Sequence, residues 1–312
     1  MKMTMMRDFS VQYTLIVVLY VKCLIGFTVN MIMVATNVMK WKIRKSLPTS
    51  DKILSHLAIS RGLYFVNIFI QISGVHFELW PRQKQFVPSI LYILSMFLYY
   101  VSQWIATTLC VFYCVKIVSY NCALCLFLKS RISTMVPWLV TASLIMSFIS
   151  SLPFGWYRNH LKTHKIFNTS SENNTNYGHD TTLDLMGQFL IFAAGSFPPF
   201  IIFCAANFLL ICFLFMHTQR MKSNGSHVHN PNLKSHFGAL KSMSLFLVLQ
   251  ILLFIGMNLF ASGKFLQFQY PMLISWMVRC SPPLLHSIYL ISASDDVRKV
   301  FTSMCSGLMR CF

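Results

Sequence analysis

Apolar residues along this chain come in runs about as long as a bilayer is thick, separated by polar gaps. Seven such runs fall at 12–38, 52–74, 87–114, 136–157, 185–216, 239–261 and 270–293, each near the ~20 residues a helix needs to cross a hydrocarbon core. The gaps are short except after the fourth and fifth runs. No internal repeat, low-complexity block or separable soluble domain is visible, so the pattern predicts one all-α membrane domain over 1–312. The stretch Trp104–Ile132 shows the pattern at close range. It starts apolar at Trp104, Ile105 and Leu109 and ends basic at Lys116, Lys129 and Arg131, which reads as a helix leaving lipid at a positive surface. The N-terminal MKMTMMRDFS runs into the first apolar segment without a small-residue cleavage site. That segment is expected to be a retained span and not a signal peptide.

Composition agrees. Hydrophobic residues are 55% of the chain and charged residues 11%, against about 25% charged in soluble domains. The net charge of +18 lies in gaps between apolar runs and not on a basic domain, which argues against nucleic-acid binding. With the N-terminus outside, fourteen Lys and Arg fall on inner segments, from Lys40 to Arg310, and eight on outer ones, from Lys2 to Lys264. The inner excess predicts N-out and C-in. Two glycosylation sequons, at Asn168 and Asn173, fall in the predicted second outer loop; a third, at Asn224, falls on the predicted inside and is read as chance. An odd number of spans favours a seven-helix receptor over a transporter built from paired repeats.

Candidate chemistry is sparse. There is no HExxH, phosphate loop or nucleophile elbow, and Asp plus Glu total 8, so no enzyme activity, metal or cofactor is expected. His227 and His229 are two ligands without further partners in a loop. Eight of the ten cysteines lie in or beside spans as small apolar fillers. None lies in the second outer loop, so no disulfide ties that loop to the third span. Cys305 and Cys311 in the tail are candidates for palmitoylation.

The ionisable residues inside spans are more telling, since each must be satisfied locally. Arg61 lies ten residues beyond Asp51, about 15 Å along a helix, and Arg279 lies near the middle of the last span. No acidic residue sits mid-span to pair with either. Two readings are open for Arg279. It shares a helix face with Trp276 and could favour anionic or carbonyl-bearing ligands, or it could bond helix carbonyls freed by Pro282 and Pro283. In the third run, Ser95, Met96, Tyr99, Tyr100 and Gln103 recur at three- and four-residue spacing. Tyrosines offer an apolar body and a hydroxyl, suited to varied small molecules. The plainer alternative is aromatic packing between helices or at the lipid interface.

Several stretches together resemble the type 2 (bitter) taste receptors. LPTSDKILSHLAISR is similar to the family's LSxxDxILxxLAxSR, through Asp51, Leu57, Ala58, Ser60 and Arg61. WIATTLCVFYCVKI with FLKSRI is similar to its third-span motif, through Trp104, Ala106, Thr107, Phe112, Tyr113, Lys116, Lys129 and Arg131. The fifth run carries Pro199, Phe200, His217 and Met221 of PF…H-x-x-x-M. The sixth carries His236, Ala239, Leu240 and Lys241 of HxxALK, and the seventh has HSIYLI with His286 and Ser287.

The resemblance covers nearly the whole chain and implies a seven-helix G-protein-coupled receptor in the plasma membrane. It implies a structural polar network of Asn30, Arg61, His286 and Ser287 where the first, second and seventh helices adjoin. A ligand site would comprise Ser95, Met96, Tyr99, Tyr100, Gln103, Leu253, Met257, Trp276 and Arg279. Coupling and activation would rest on Tyr113, Lys116, Lys129, Arg131, His217, Ala239, Leu240 and Lys241. The implied partners are small bitter agonists, a gustducin-like heterotrimeric G protein, membrane lipids and, as a further arrangement, a receptor oligomer.

The chain departs from the family pattern mainly in the ligand half. Tyr99 and Tyr100 replace an Asn-His pair, Ser95 a common Trp, and Trp276 an acidic residue found in some members. Pro282 replaces a Tyr, and Ser294 an Asn. A vomeronasal-type chemoreceptor is the alternative within the fold, and a small-solute transporter or channel the alternative outside it.

Overall fold

The computed structural model describes residues 2–79, 86–118, 123–168, 177–223, 241, 244, 245, 247–256 and 270–293, with most side chains given within 10–79, 86–118, 126–155, 186–216, 241–256 and 270–292. Among these residues the regular structure is entirely helical. Six helices are α1 (Lys2–Arg44), α2 (Thr49–His76), α3 (Phe86–Ile117), α4 (Ala123–Asn168), α5 (Tyr177–Ser223) and α7 (Pro271–Ala293); α6 is Leu247–Gly256. Five are long and apolar enough to span a membrane. Several run well past the apolar spans, because a helix satisfies its own backbone in water as in lipid and need not stop at the interface. The predicted loop residue Asn168 is thus the last residue of α4.

Helix α3 is the hub. It packs against α2, α4 and α5, while α1 packs against α2 and α7. The buried share of its most apolar window, 61%, exceeds the 28–56% of the other four spanning helices. Its mid-region residues Tyr100, Ile105, Leu109 and Phe112 are almost fully buried, whereas Trp138, Ile145, Phe148 and Ile149 of α4 are exposed, as a lipid-facing surface requires.

Because lipid is as apolar as the side chains, helix association in a membrane depends on close packing and interhelical hydrogen bonds. Both are present. Ser143, Ser147 and Ser151, four residues apart, form a buried small-residue stripe on α4, each hydroxyl donating to its own helix. Gly26 on α1 lets the Phe65 ring of α2 approach to where a Cβ would stand 2.6 Å away, and Gly195 on α5 does the same for the Tyr100 ring of α3. Prolines interrupt α4 at Pro137 and Pro153, α5 at Pro198 and Pro199, and α7 at Pro282 and Pro283. Each removes one N–H from the ladder. At α5 the Pro199 carbonyl accepts a 3.1 Å hydrogen bond from Thr107 Oγ1 of α3.

At the Lys116 end of the bundle, α1 and α2 are clasped. Asn37 Nδ2 donates to the Asp51 carbonyl at 3.1 Å and to Ser55 Oγ at 2.9 Å, and Lys40 Nζ pairs with Asp51 Oδ2 at 3.3 Å.

Candidate functional site

Arg61 sits midway along α2 and is 1% exposed. A buried guanidinium needs most of its donors met, and two neighbouring helices meet them here. Nε donates to Ser102 Oγ of α3 at 3.0 Å, Nη1 to Ser287 Oγ of α7 at 3.0 Å, and Nη2 to His286 Nδ1 at 2.8 Å. Since Arg can only donate, Nδ1 accepts, which assigns His286 the neutral Nε2–H tautomer. Ser287 Oγ then donates to Asn30 Oδ1 at 3.1 Å, and Asn30 Nδ2 to the Gly26 carbonyl at 2.7 Å. Asn30, Arg61, His286 and Ser287 therefore form one connected network reaching from the α1 backbone to α3. Ser102 is the member that sequence reasoning did not name. One hydroxyl in an apolar run carries little signal, since serine is common as a small packing residue in membrane helices.

Next to this network lies a narrow space bounded by Arg61, Tyr64, Tyr99, Ser102, Gln103, Gln250, Leu253, Pro282 and Pro283. A second, equally narrow, lies on its α5 side and is lined by Phe192, Ser196, Phe200 and Phe254. The two share a wall of Tyr99, Gln103, Gln250 and Leu253. Both are slender, with walls close to a water's width.

Hydrogen bonds hold the wall. Gln103 and Gln250 exchange Nε2→Oε1 bonds of 2.8 Å in both directions, tying α3 to α6, and Gln103 Nε2 also donates to Tyr99 Oη. Around the wall the lining is aromatic: Tyr99 packs on Tyr64, Tyr100 and Phe192, and Phe200 stacks on Phe254 with an interplanar angle of 3°. A mostly apolar space with a few convergent amides and hydroxyls can orient a small organic molecule. Gln250 was legible in principle, being an amide in the middle of an apolar run and one helical turn before Leu253.

The remaining expected ligand residues divide. Tyr99, Gln103 and Leu253 line the cavities. Tyr100 is buried beside them, donating to the Phe192 carbonyl at 3.3 Å. Ser95 faces α2 instead, accepting from Asn67 Nδ2 at 2.7 Å and from Gln71 Nε2. Met96 and Trp276 are buried in the apolar cluster around Tyr64 and Phe65. Arg279 is buried against the Tyr92 ring of α3, its guanidinium carbon 6.0 Å from the centroid. Met257 lies outside the described residues.

Of the residues expected at the coupling face, Lys116, Lys129, Arg131 and Lys241 are exposed and Tyr113 is half-buried. Lys116 lies over the Phe112 ring and Arg131 over Phe127, at 5.3 and 5.7 Å. Ala239 and Leu240 lie outside the described residues, as do the side chain of His217 and, among the expected modification sites, Asn173, Cys305, Cys311 and the side chain of Asn168. No cluster of three or more potential metal ligands occurs among the described residues.

Comparison with known proteins adds an independent finding. The family described as "Taste receptor protein (TAS2R)" matches residues 5–309. Taste receptor type 2 member 39 from Homo sapiens is 29% identical over 291 residues, covering 92% of this chain and 85% of that protein. The Mus musculus protein of the same name is 29% identical over 292 residues, with 92% and 90% covered. Taste receptor type 2 member 40 from Gallus gallus is 29% identical over 259 residues, with 78% and 83% covered.

Proposed function

The chain belongs to the taste receptor type 2 family, and on that premise we propose that small bitter compounds bind at the shared wall of Tyr99, Gln103, Gln250 and Leu253. The receptor is a membrane protein and not an enzyme. The observation that carries the site is the tie between α3 and α6 within an aromatic lining: Gln103 and Gln250 hold each other at 2.8 Å across the space a ligand would enter. An agonist that fits better when the pair is parted shifts the bundle toward that arrangement, by no more than its difference in affinity for the two states.

In this reading the N-terminus is outside, the protein resides in the plasma membrane, and Asn168 and Asn173 carry glycans. The basic end, with Lys116, Lys129, Arg131 and Lys241, faces the cytoplasm, where it suits anionic lipid and a gustducin-like G protein. Assembly into oligomers belongs to the same reading as an open arrangement. Calcium release in cells carrying the receptor and a promiscuous G protein, across a panel of bitter compounds, tests the core of it. A response abolished by Tyr99→Ala at unchanged surface expression supports the site. Agonists equally potent on the Tyr99→Ala receptor would remove it.

A further inference from the structure

Arg279 stands apart from Arg61. Both are buried cations, but Arg61 is held by Ser102, His286 and Ser287, whereas Arg279 is 8% exposed and its Nε has no hydrogen-bond acceptor among the described residues. Its described neighbours include the face of Tyr92 and, within electrostatic reach, Cys280 and the hydroxyls of Tyr64 and Tyr99, the two tyrosines lining the first cavity. A second cation lies close by. Lys22 of α1 donates at 2.8 Å to Ser281 Oγ, two residues along α7. Neither cation has a carboxylate partner among the described residues. Of the eight acidic residues in the chain, the two whose side chains are described, Asp51 and Glu78, lie in the first turn of α2 and just past its last residue. An unpaired buried charge is among the costliest features a protein can keep, and the guanidinium fork matches a carboxylate or sulfonate in shape and charge.

We infer that Arg279 receives the anionic group of a ligand, so that the receptor is tuned to small organic acids. The aromatic part of such a molecule would lie toward Tyr64 and Tyr99 while its acid group met the guanidinium under Tyr92. This rests on the proposed ligand site and names the class of compound it takes.

The test uses the full-length receptor purified in detergent, with thermal unfolding as the readout. The probes are benzoate, salicylate and benzenesulfonate, each beside its neutral amide. The acids are expected to stabilise the unsubstituted receptor more than the amides do. Arg279→Gln and Arg279→Met should weaken acid binding about ten-fold or more and leave the amides unchanged, while Arg279→Lys retains part of the acid preference. Removing an uncompensated charge does not threaten folding, and two neutral variants are used so that neither alone decides. Equal shifts from acid and amide, no shift from any acid at millimolar concentration, or an acid shift that survives both neutral variants would overturn the inference. The calcium assay separates it from the underlying reading. Acid-selective stabilisation without signalling removes the receptor site but leaves an anion site, and signalling by neutral compounds alone does the reverse.

Discussion

Gln103 and Gln250 form a reciprocal amide pair, each Nε2 donating to the other's Oε1 at 2.8 Å, so that α3 and α6 are joined by two hydrogen bonds in the middle of the bundle. Interhelical hydrogen bonds in membranes are worth about 0.6 kcal/mol on average and up to about 1.7. Replacing Gln103 also leaves the Gln250 amide unmet, and replacing Gln250 leaves Gln103 Oε1 unmet while its Nε2 keeps Tyr99 Oη. Gln250→Leu is therefore expected to loosen α6 and raise agonist-free signalling several-fold. Gln103→Leu together with Gln250→Leu should fall back toward the original level, because no amide is then left unmet. G-protein turnover normalised to surface expression measures both; an unchanged basal level in both single variants would show that the pair does not restrain α6.

The Arg61 network gives an asymmetric expectation. Removing a partner leaves a buried charge less satisfied, at about 1.5–3 kcal/mol per hydrogen bond to a charged group. Removing the charge and filling its volume is often close to neutral. Ser287→Ala is thus expected to lower the unfolding temperature of the purified receptor more than Arg61→Met does, and Ser102→Ala with Ser287→Ala more again. The reverse order would mean that Arg61 contributes through its charge to something beyond these hydroxyls.

Gly195 is required by space. A Cβ there would stand 2.6 Å from Tyr100 Cζ, and overpacking of that kind costs typically about 1–3 kcal/mol. Gly195→Ala should reduce folded receptor at the cell surface. Gly195→Ala with Tyr100→Leu should recover it, since the smaller side chain vacates the contact. Flow cytometry of an epitope-tagged receptor reads both.

The clasp between α1 and α2 should depend on the amide more than on the ion pair. Lys40 and Asp51 are each nearly a fifth exposed, and such pairs contribute about 0–1 kcal/mol. Asn37 makes two bonds to α2, one to backbone. Asn37→Ala is expected to lower the unfolding temperature more than Lys40→Ala, and high salt should erase only the Lys40 effect.

The helical membrane architecture was legible from the chain because apolar runs of bilayer length have few other uses. Arg61 and Asn30 were legible as a buried network because a charge in mid-span demands partners. Their particular partners were less so. Ser102 and Arg61 are 41 residues apart, and nothing in a single sequence ties one serine to one arginine. Ser95 shows how helical spacing can group residues by face without saying which neighbour the face meets. It shares a stripe with Tyr99 and Gln103 yet turns toward Asn67 and Gln71 of α2, because successive positions on a stripe drift around the helix axis. The helices extend beyond the apolar runs because apolar length measures lipid, not hydrogen bonding.

The proline pair in α7 has an implication for how such a receptor could diversify. Pro282 and Pro283 cannot donate to the carbonyls of Val278 and Arg279, four residues back, so the ladder between the two halves of α7 lacks two consecutive rungs. Trp276 and Arg279 lie before the gap; His286 and Ser287 lie after it. Substitutions before the gap can tilt or rotate their half-turns without imposing the same displacement on the residues that hold Arg61. The first half is thereby released to drift in chemistry while the second keeps its register. In this chain Trp276 stands before the gap and HSIYLI after it.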